Sequence, residues 1–435
     1  MPSASETSQQ PQPADGPRDP EQARNLRSAY IWNTAGSMLN AFQSVVMLVV
    51  ITRVSDLTTA GIFTLAYAHA NLFLTLGTFG MRTYQASDVR PAHSHAAYLR
   101  SRALTCTAMV ACSWAWLAWS ALTNGYTPDK AWAVAFMTLM KGMDAVEDVF
   151  DGSFQQAGRL DVAGRLNTFR TATTIVAFCV TMAATGSLVV ATLAGFVWTV
   201  VFLASALALI RSRLGLPLPH PEAPNSRALP LLAECVPLFL ASFLLFYVGN
   251  APKYAIDALM DDATQAVYGF IAMPVFVVGL LAQFVYMPLV QPLSEAWAAG
   301  DAPIVRHEFA RQIGIICAIT LICVAGAALL GPPVLGWLYA TDLVQWRLEL
   351  CLLVGGGGLL ALASLFTMGI TLVRQQGRLV AGYVAVAALA LVASSPLVGT
   401  WGILGAATCY VACMAMLAAW FGIVLLRCLR AGVRN

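Results

Sequence analysis

Charge is what this sequence has least of. Of its 435 residues only 11% are Asp, Glu, Lys or Arg, and only three are lysine: Lys130, Lys141 and Lys253. Soluble domains carry about 25% charged residues and about 45–50% apolar ones. Here 58% are hydrophobic, which excludes an ordinary soluble domain and indicates a polytopic membrane protein. The net charge of +3 comes from basic residues scattered singly, so no nucleic-acid partner is expected. Metal-binding cysteine patterns are missing too. None of the ten cysteines forms CxxC, and Cys409 and Cys413 have no histidine nearby to complete a zinc set. They read as small buried hydrophobes, and neither a metal nor another cofactor is expected. No GxxxxGK[ST] loop occurs to cradle ATP phosphates, and the GGGG at 355–358 sits inside an apolar run, where close packing or flexibility explains it.

Long apolar runs are what the sequence has instead. Twelve of them are separated by polar or Pro-bearing joints, near 29–51, 59–80, 103–122, 131–150, 168–186, 188–210, 234–255, 266–288, 313–335, 350–373, 379–396 and 402–426. The fifth and sixth are parted only by TGS. The expected fold is therefore an all-α integral membrane protein with about 12 spans. Residues 1–24, rich in Pro, Gln, Ser and Asp, read as a disordered tail. No charged n-region with a short apolar core precedes the first span, so a cleaved signal is not expected. The Pro-rich joint at 211–230 divides the spans into two six-helix bundles, 25–210 and 231–430. A faint parallel repeat crosses it, with AGIFTLA in one half and AVYGFIA in the other.

The basic residues choose an orientation. Twenty of the 25 Lys and Arg fall on the side of the termini, against Arg53, Lys130, Lys253 and Arg347 on the other, with Lys141 inside a span. The positive-inside rule then puts both termini in the cytoplasm, in a cell inner (cytoplasmic) membrane. The joints on the opposite side are short and leave no room for a catalytic domain. That weighs against a polyprenyl-linked glycosyltransferase or glycan polymerase, and no enzymatic activity is expected.

Polar groups inside the spans carry the functional signal. On the first span Asn33, Gly36, Ser37, Asn40, Gln43 and Ser44 make one polar stripe, which suits a wetted cavity or helix packing through small residues. Thr64, Asn71, Thr75 and Thr78 repeat it more weakly on the second span, with His69 off that face as a structural histidine. The seventh span closes with YVGNAPKYAID, where Pro252 disturbs the helix near Asn250 and Lys253 follows. Lys253 is either a lysine that snorkels to the surface or a cation at a cavity mouth opposite Arg53.

The fourth span ends in KGMDAVEDVFDG. Lys141, Asp144, Asp148 and Asp151 share one helical face, flanked by Glu147. Facing lipid, each charge would cost about 2.5–3.5 kcal/mol at the bilayer centre, so the stripe must face protein or water. Lys141 can pair with Asp144, and the other acids with Arg82, Arg159 or Arg165. A salt-bridge latch on a cytoplasmic gate, a proton or sodium site, and solvated helix-end charge are the three readings.

RNLRSAYIWNTAGSMLNAFQSVVMLVVITRVSDLTTAGIF and GTFGMRTYQASDV with the following YLRSR resemble the start of bacterial polysaccharide biosynthesis flippases. DGSFQQAGRLDVAGRLNTFR and NAPKYAID look like later signatures of the same group, within the multidrug/oligosaccharidyl-lipid/polysaccharide exporter superfamily. The resemblance implies two six-helix lobes around a central cavity and alternating access. It implies a cargo of polyprenyl-diphosphate-linked oligosaccharide, turned to the outer leaflet for capsule, exopolysaccharide or O-antigen assembly. Membrane lipids and a polymerase or ligase are the expected partners. The matching cationic positions are Arg53, Lys253 and Arg82, with Lys141 a matching charge type. The closer rival is a cation-coupled multidrug or metabolite exporter of the same superfamily, toward which the acidic stripe leans.

Overall fold

The computed structural model describes residues 20–87, 93–215, 228–375 and 377–431, and the middle of the 211–230 joint lies outside them. The described residues are helical, with no strand. In the first half, α1 (Pro20–Val54), α2 (Leu57–Thr78), α3 (Met81–Ser87), α4 (His95–Asn124), α5 (Pro128–Gln156), α6 (Leu160–Thr185) and α7 (Leu188–Leu214) follow in order. In the second come α8 (Ala228–Leu259), α9 (Asp262–Ala272), α10 (Val275–Tyr286), α11 (Val290–Ala298), α12 (Ala302–Tyr339), α13 (Arg347–Leu372) and α14 (Gly377–Ala431). α1 thus begins inside the stretch expected as a tail, and α7 and α8 enter the expected linker.

Nine helical stretches among the described residues are long and apolar enough to cross a membrane. α5 and α6 are as long but more polar, and α14 is two spans. Its arms meet at Gly402, whose φ of 57° and ψ of −130° suit only glycine. They then run back alongside each other, with Tyr383 edge-on to Phe421 at 5.1 Å between ring centres. Counted this way there are twelve spans. The TGS joint is sufficient as a turn because Gly186 takes φ 65° to cap α6 and Ser187 caps α7 through the Val190 N–H.

Within the first half α1 packs on α6, and α5 on α2, α4 and α7; within the second, α14 packs on α8 and α13, and α12 and α10 on α13. The halves meet chiefly where α2 crosses α9 and α8. The crossing has matching ends. Asp56 caps α2 by accepting the Thr59 N–H at 2.9 Å, and Asp261 caps α9 by accepting the Thr264 N–H at the same distance. Hydrogen bonds from Thr59 and Thr264 hold the two carboxyls below their usual range. Two residues beyond each threonine, Gly61 lies against Ala266 and Asp262; three further on, Thr64 lies against Gly269. Each position therefore touches its own counterpart, as a two-fold-like contact requires. In this register Lys253 corresponds to Leu48, so Lys253 and Arg53 are not equivalent positions.

Candidate functional site

α5 brings its charges into the interior of the first lobe. Lys141, Glu147 and Asp151 are each less than 5% exposed. Lys141 Nζ donates to Gln43 Oε1 at 2.7 Å and to Asp144 Oδ2 at 3.0 Å, and sits 4.9 Å from the centre of the Tyr67 ring. Arg170 of α6 takes the other side, with Nη1 donating to Asp144 Oδ1 at 2.6 Å and Nε to Glu147 Oε2. Asp148 pairs with Arg102 of α4 at 2.5 Å, and Asp151 with Arg82 of α3 at 3.0 Å. Four carboxylates therefore meet four cations. No member faces lipid unpaired, and that answers the insertion cost. Two buried oxygens, Glu147 Oε1 and Asp151 Oδ1, keep no hydrogen-bond partner.

All of these charged groups but Arg102 line a cavity of about 270 Å³ together with Asn40, Tyr67, Asn71, Thr78 and Asn167. Asn40 Nδ2 donates to Asn167 Oδ1 at 2.8 Å and its Oδ1 accepts from Thr171 at 3.2 Å. The polar stripe of α1 divides. Asn40 and Gln43 join the cavity network, whereas Asn33 donates to the Leu160 carbonyl at 3.1 Å and packs against Gly164 of α6. His69 bonds Ser113 at 2.8 Å, buried between α2 and α4.

Every carboxylate of the α5 stripe pairs inside its own lobe, so the stripe does not hold the two lobes together. Of the partners named from sequence, Arg82 is present; Arg159 pairs instead with Asp161, and Arg165 bonds Ser28. At the arginine-rich face His93 pairs with Glu234 of α8 at 3.4 Å, and the Tyr84 hydroxyl donates to the same carboxylate. The other ion pairs that cross the lobes lie at the opposite membrane face, near Arg53. Lys130 Nζ donates to Asp257 of α8 at 2.7 Å and to Asp262 of α9 at 2.6 Å. Asn124 donates to Asp257 at 3.2 Å, and the Tyr126 hydroxyl donates to the same carboxylate. Burial raises the Tyr126 phenol far above its usual range, with the Asp257 charge adding to it, so it stays a donor. Arg53 of α1 donates to the Trp337 carbonyl of α12. Lys253 is half-buried and has no hydrogen bond or ion pair among the described residues, so no contact joins it to Arg53. Asn250 donates back to the Phe246 carbonyl at 3.0 Å, and α8 runs on through Pro252 without a break.

Tight crossing and ion pairs at the Lys130 face close the lobes on that side. No protein-family model and no curated protein matches the chain. Solved structures do. The chain has the MATE-transporter fold. It is similar to a multidrug resistance MATE family transporter of the MOP superfamily in an inward-facing conformation, with TM-score 0.71 and 12% identity over 94% of this chain and 99% of that one. It is similar to the Vibrio cholerae MATE transporter VcmN in its bent form, with TM-score 0.60 and 11% identity over 95% and 99%. A Pyrococcus furiosus MOP superfamily transporter, described as having a binding pocket of reverse polarity, matches with TM-score 0.60 and 13% identity over 95% and 97%. At such identities the likeness is one of fold.

The residues that sequence reasoning missed are Arg102, Arg170, Lys130, Asp257 and Asp262. One signal was available for Arg170. Asn167, Arg170 and Thr174 follow at i, i+3 and i+7 on α6, the same polar spacing as on α1. Nothing local in the sequence links Lys130 to Asp257 across the two halves.

Proposed function

We propose that this protein is a cation-coupled exporter of amphipathic drugs or metabolites that works by alternating access. The observation that carries this reading is the buried four-acid, four-base network of the first lobe. It adjoins a polar cavity and keeps two carboxylate oxygens without partners, which is where a proton or a sodium ion can be taken up. With charges balanced, one added cation leaves the network positive and favours a rearrangement of Lys141 or Arg170. Two ion pairs centred on the buried Lys130 join the lobes at its face, against one pair at the other end, His93 with the exposed Glu234, and this suits a state open toward the arginine-rich face. The positive-inside asymmetry supports reading that face as cytoplasmic, with both termini on it.

The test is gradient-driven dye accumulation in everted vesicles. An imposed proton or sodium gradient should drive uptake, and Glu147→Gln with Asp151→Asn should abolish the gradient dependence. Uptake that ignores the gradient in the unmodified protein would remove the coupling role. A second reading, a flippase for polyprenyl-diphosphate-linked oligosaccharide, is supported by the unpaired Lys253. Its signature would be no dye transport, together with leaflet exchange of a fluorescent polyprenyl-diphosphate glycan that Lys253→Ala blocks.

A further inference from the structure

The second lobe holds a counterpart to the charged cavity, and its chemistry is different. α2 corresponds to α9 with its continuation α10, and in element order α3 and α5 correspond to α11 and α13; between α10, α11 and α13 lies a cavity of about 730 Å³. That is within the range of about 300–1,000 Å³ usual for small-molecule sites. Its body is apolar and aromatic, with Tyr286, Met287, Trp297 and Met368, and no acidic side chain lines it among the described residues. Its mouth is polar. Arg374, the residue just after Val373 at the end of α13, stands at φ 57°, a conformation unfavourable for a side chain with a Cβ. Backbone bonds lock it there, from Arg374 N–H to the Thr371 carbonyl at 2.9 Å and from Gln375 N–H to the Ile370 carbonyl at 3.0 Å. Its guanidinium is exposed and has no hydrogen bond or ion pair among the described residues. The hydroxyls of Thr371 and Ser294, which line the same cavity, make no side-chain bond either, so the cavity carries three donors without an acceptor.

We propose that this cavity binds an amphiphile with an acidic head group, the anion on Arg374 with Thr371 and Ser294, and the apolar body against Tyr286, Met287, Trp297 and Met368. A guanidinium offers a planar fork suited to phosphate or carboxylate. An apolar trough leading away from it accepts an alkyl or aryl chain. Balanced charge around the cavity of the first lobe and an unpaired cation at the mouth of this one divide the labour, coupling in one and cargo in the other. This names the cargo class of the exporter proposed above and rests on that reading for transport, though not for binding.

Trp297 supplies the readout. The full chain in neutral-lipid nanodiscs is titrated with a bromododecyl phosphate, and the Trp297 signal is isolated by subtracting the Trp297→Phe variant. Saturable quenching of Trp297 is expected, competed by dodecyl phosphate but neither by dodecyltrimethylammonium nor by inorganic phosphate. Arg374→Gln should weaken it by about tenfold, the scale of one lost charge-assisted hydrogen bond, and Arg374→Lys should weaken it less. Quenching that never saturates, that is unchanged in Arg374→Gln, or that the cationic detergent competes equally well would overturn the site. Competition by inorganic phosphate alone would make it a free-anion site and overturn the amphiphile. Saturable binding without gradient-driven export would leave the site standing and remove the exporter reading instead.

Discussion

Arg170 is the residue on which the buried network turns. Its guanidinium touches Asp144 and Glu147 at once, 3% exposed, while Lys141 holds Asp144 from the other side. Replacing it by methionine keeps the volume but leaves Glu147 without a counter-ion. Breaking a buried pair in this way costs about 3–5 kcal/mol. Arg170→Met should therefore lower the melting temperature of the purified protein clearly, and adding Glu147→Leu should restore part of the loss. A melting curve identical to that of the unmodified protein would show that the pair does not bear on stability. The acidic half of this network was legible in the sequence, because several carboxylates at the end of an apolar span cannot be left in lipid. The basic half was not. Which way Arg170 points depends on the rotation of α6 against α1 and α5, and Arg102 was indistinguishable from the other arginines of its joint.

At the scale of elements, the crossing of α2 and α9 is the tightest point between the lobes. A Cβ on Gly61 would stand 1.7 Å from the Asp262 carbonyl oxygen, a backbone atom that cannot step aside. Gly61→Ala should therefore force the helices apart at the Lys130 face. A cysteine placed at Thr58, which borders the small cavity beside Lys130, should then react faster with an impermeant thiol reagent added from that side. Gly249→Ala is the control, since nothing lies within 4 Å of its added carbon. Equal labelling rates in the two variants would mean that the crossing does not set the closure. Long spans and their turns were readable because hydropathy and caps are local. The short helices α3 and α11 were not read, being absorbed into joints, and the close approach of Gly61 needed a partner two hundred residues away.

At the scale of the whole molecule, the twelve-span architecture followed from composition and from where the polar joints fall, but the state of the two lobes did not. That state rests on Lys130, which is 6% exposed and neutralises one carboxylate at the end of α8 and another at the start of α9. Lys130→Met removes the only cation between Asp257 and Asp262 among the described residues. Two neighbouring carboxylates then repel each other, and the Tyr126 hydroxyl and the Asn124 amide, which reach only Asp257, cannot compensate the second charge. Spin labels on the exposed ends of α4 and α8, at Leu122 and Leu259, should report a longer distance population in Lys130→Met than in the unmodified protein. Asp257→Asn keeps the Lys130–Asp262 pair and should shift the distribution less. Restoring opposite charges by Lys130→Glu with Asp262→Lys should bring back part of the short population. A distance distribution that stays short in Lys130→Met would mean that helix crossing alone closes this face, and that the ion pairs only decorate it.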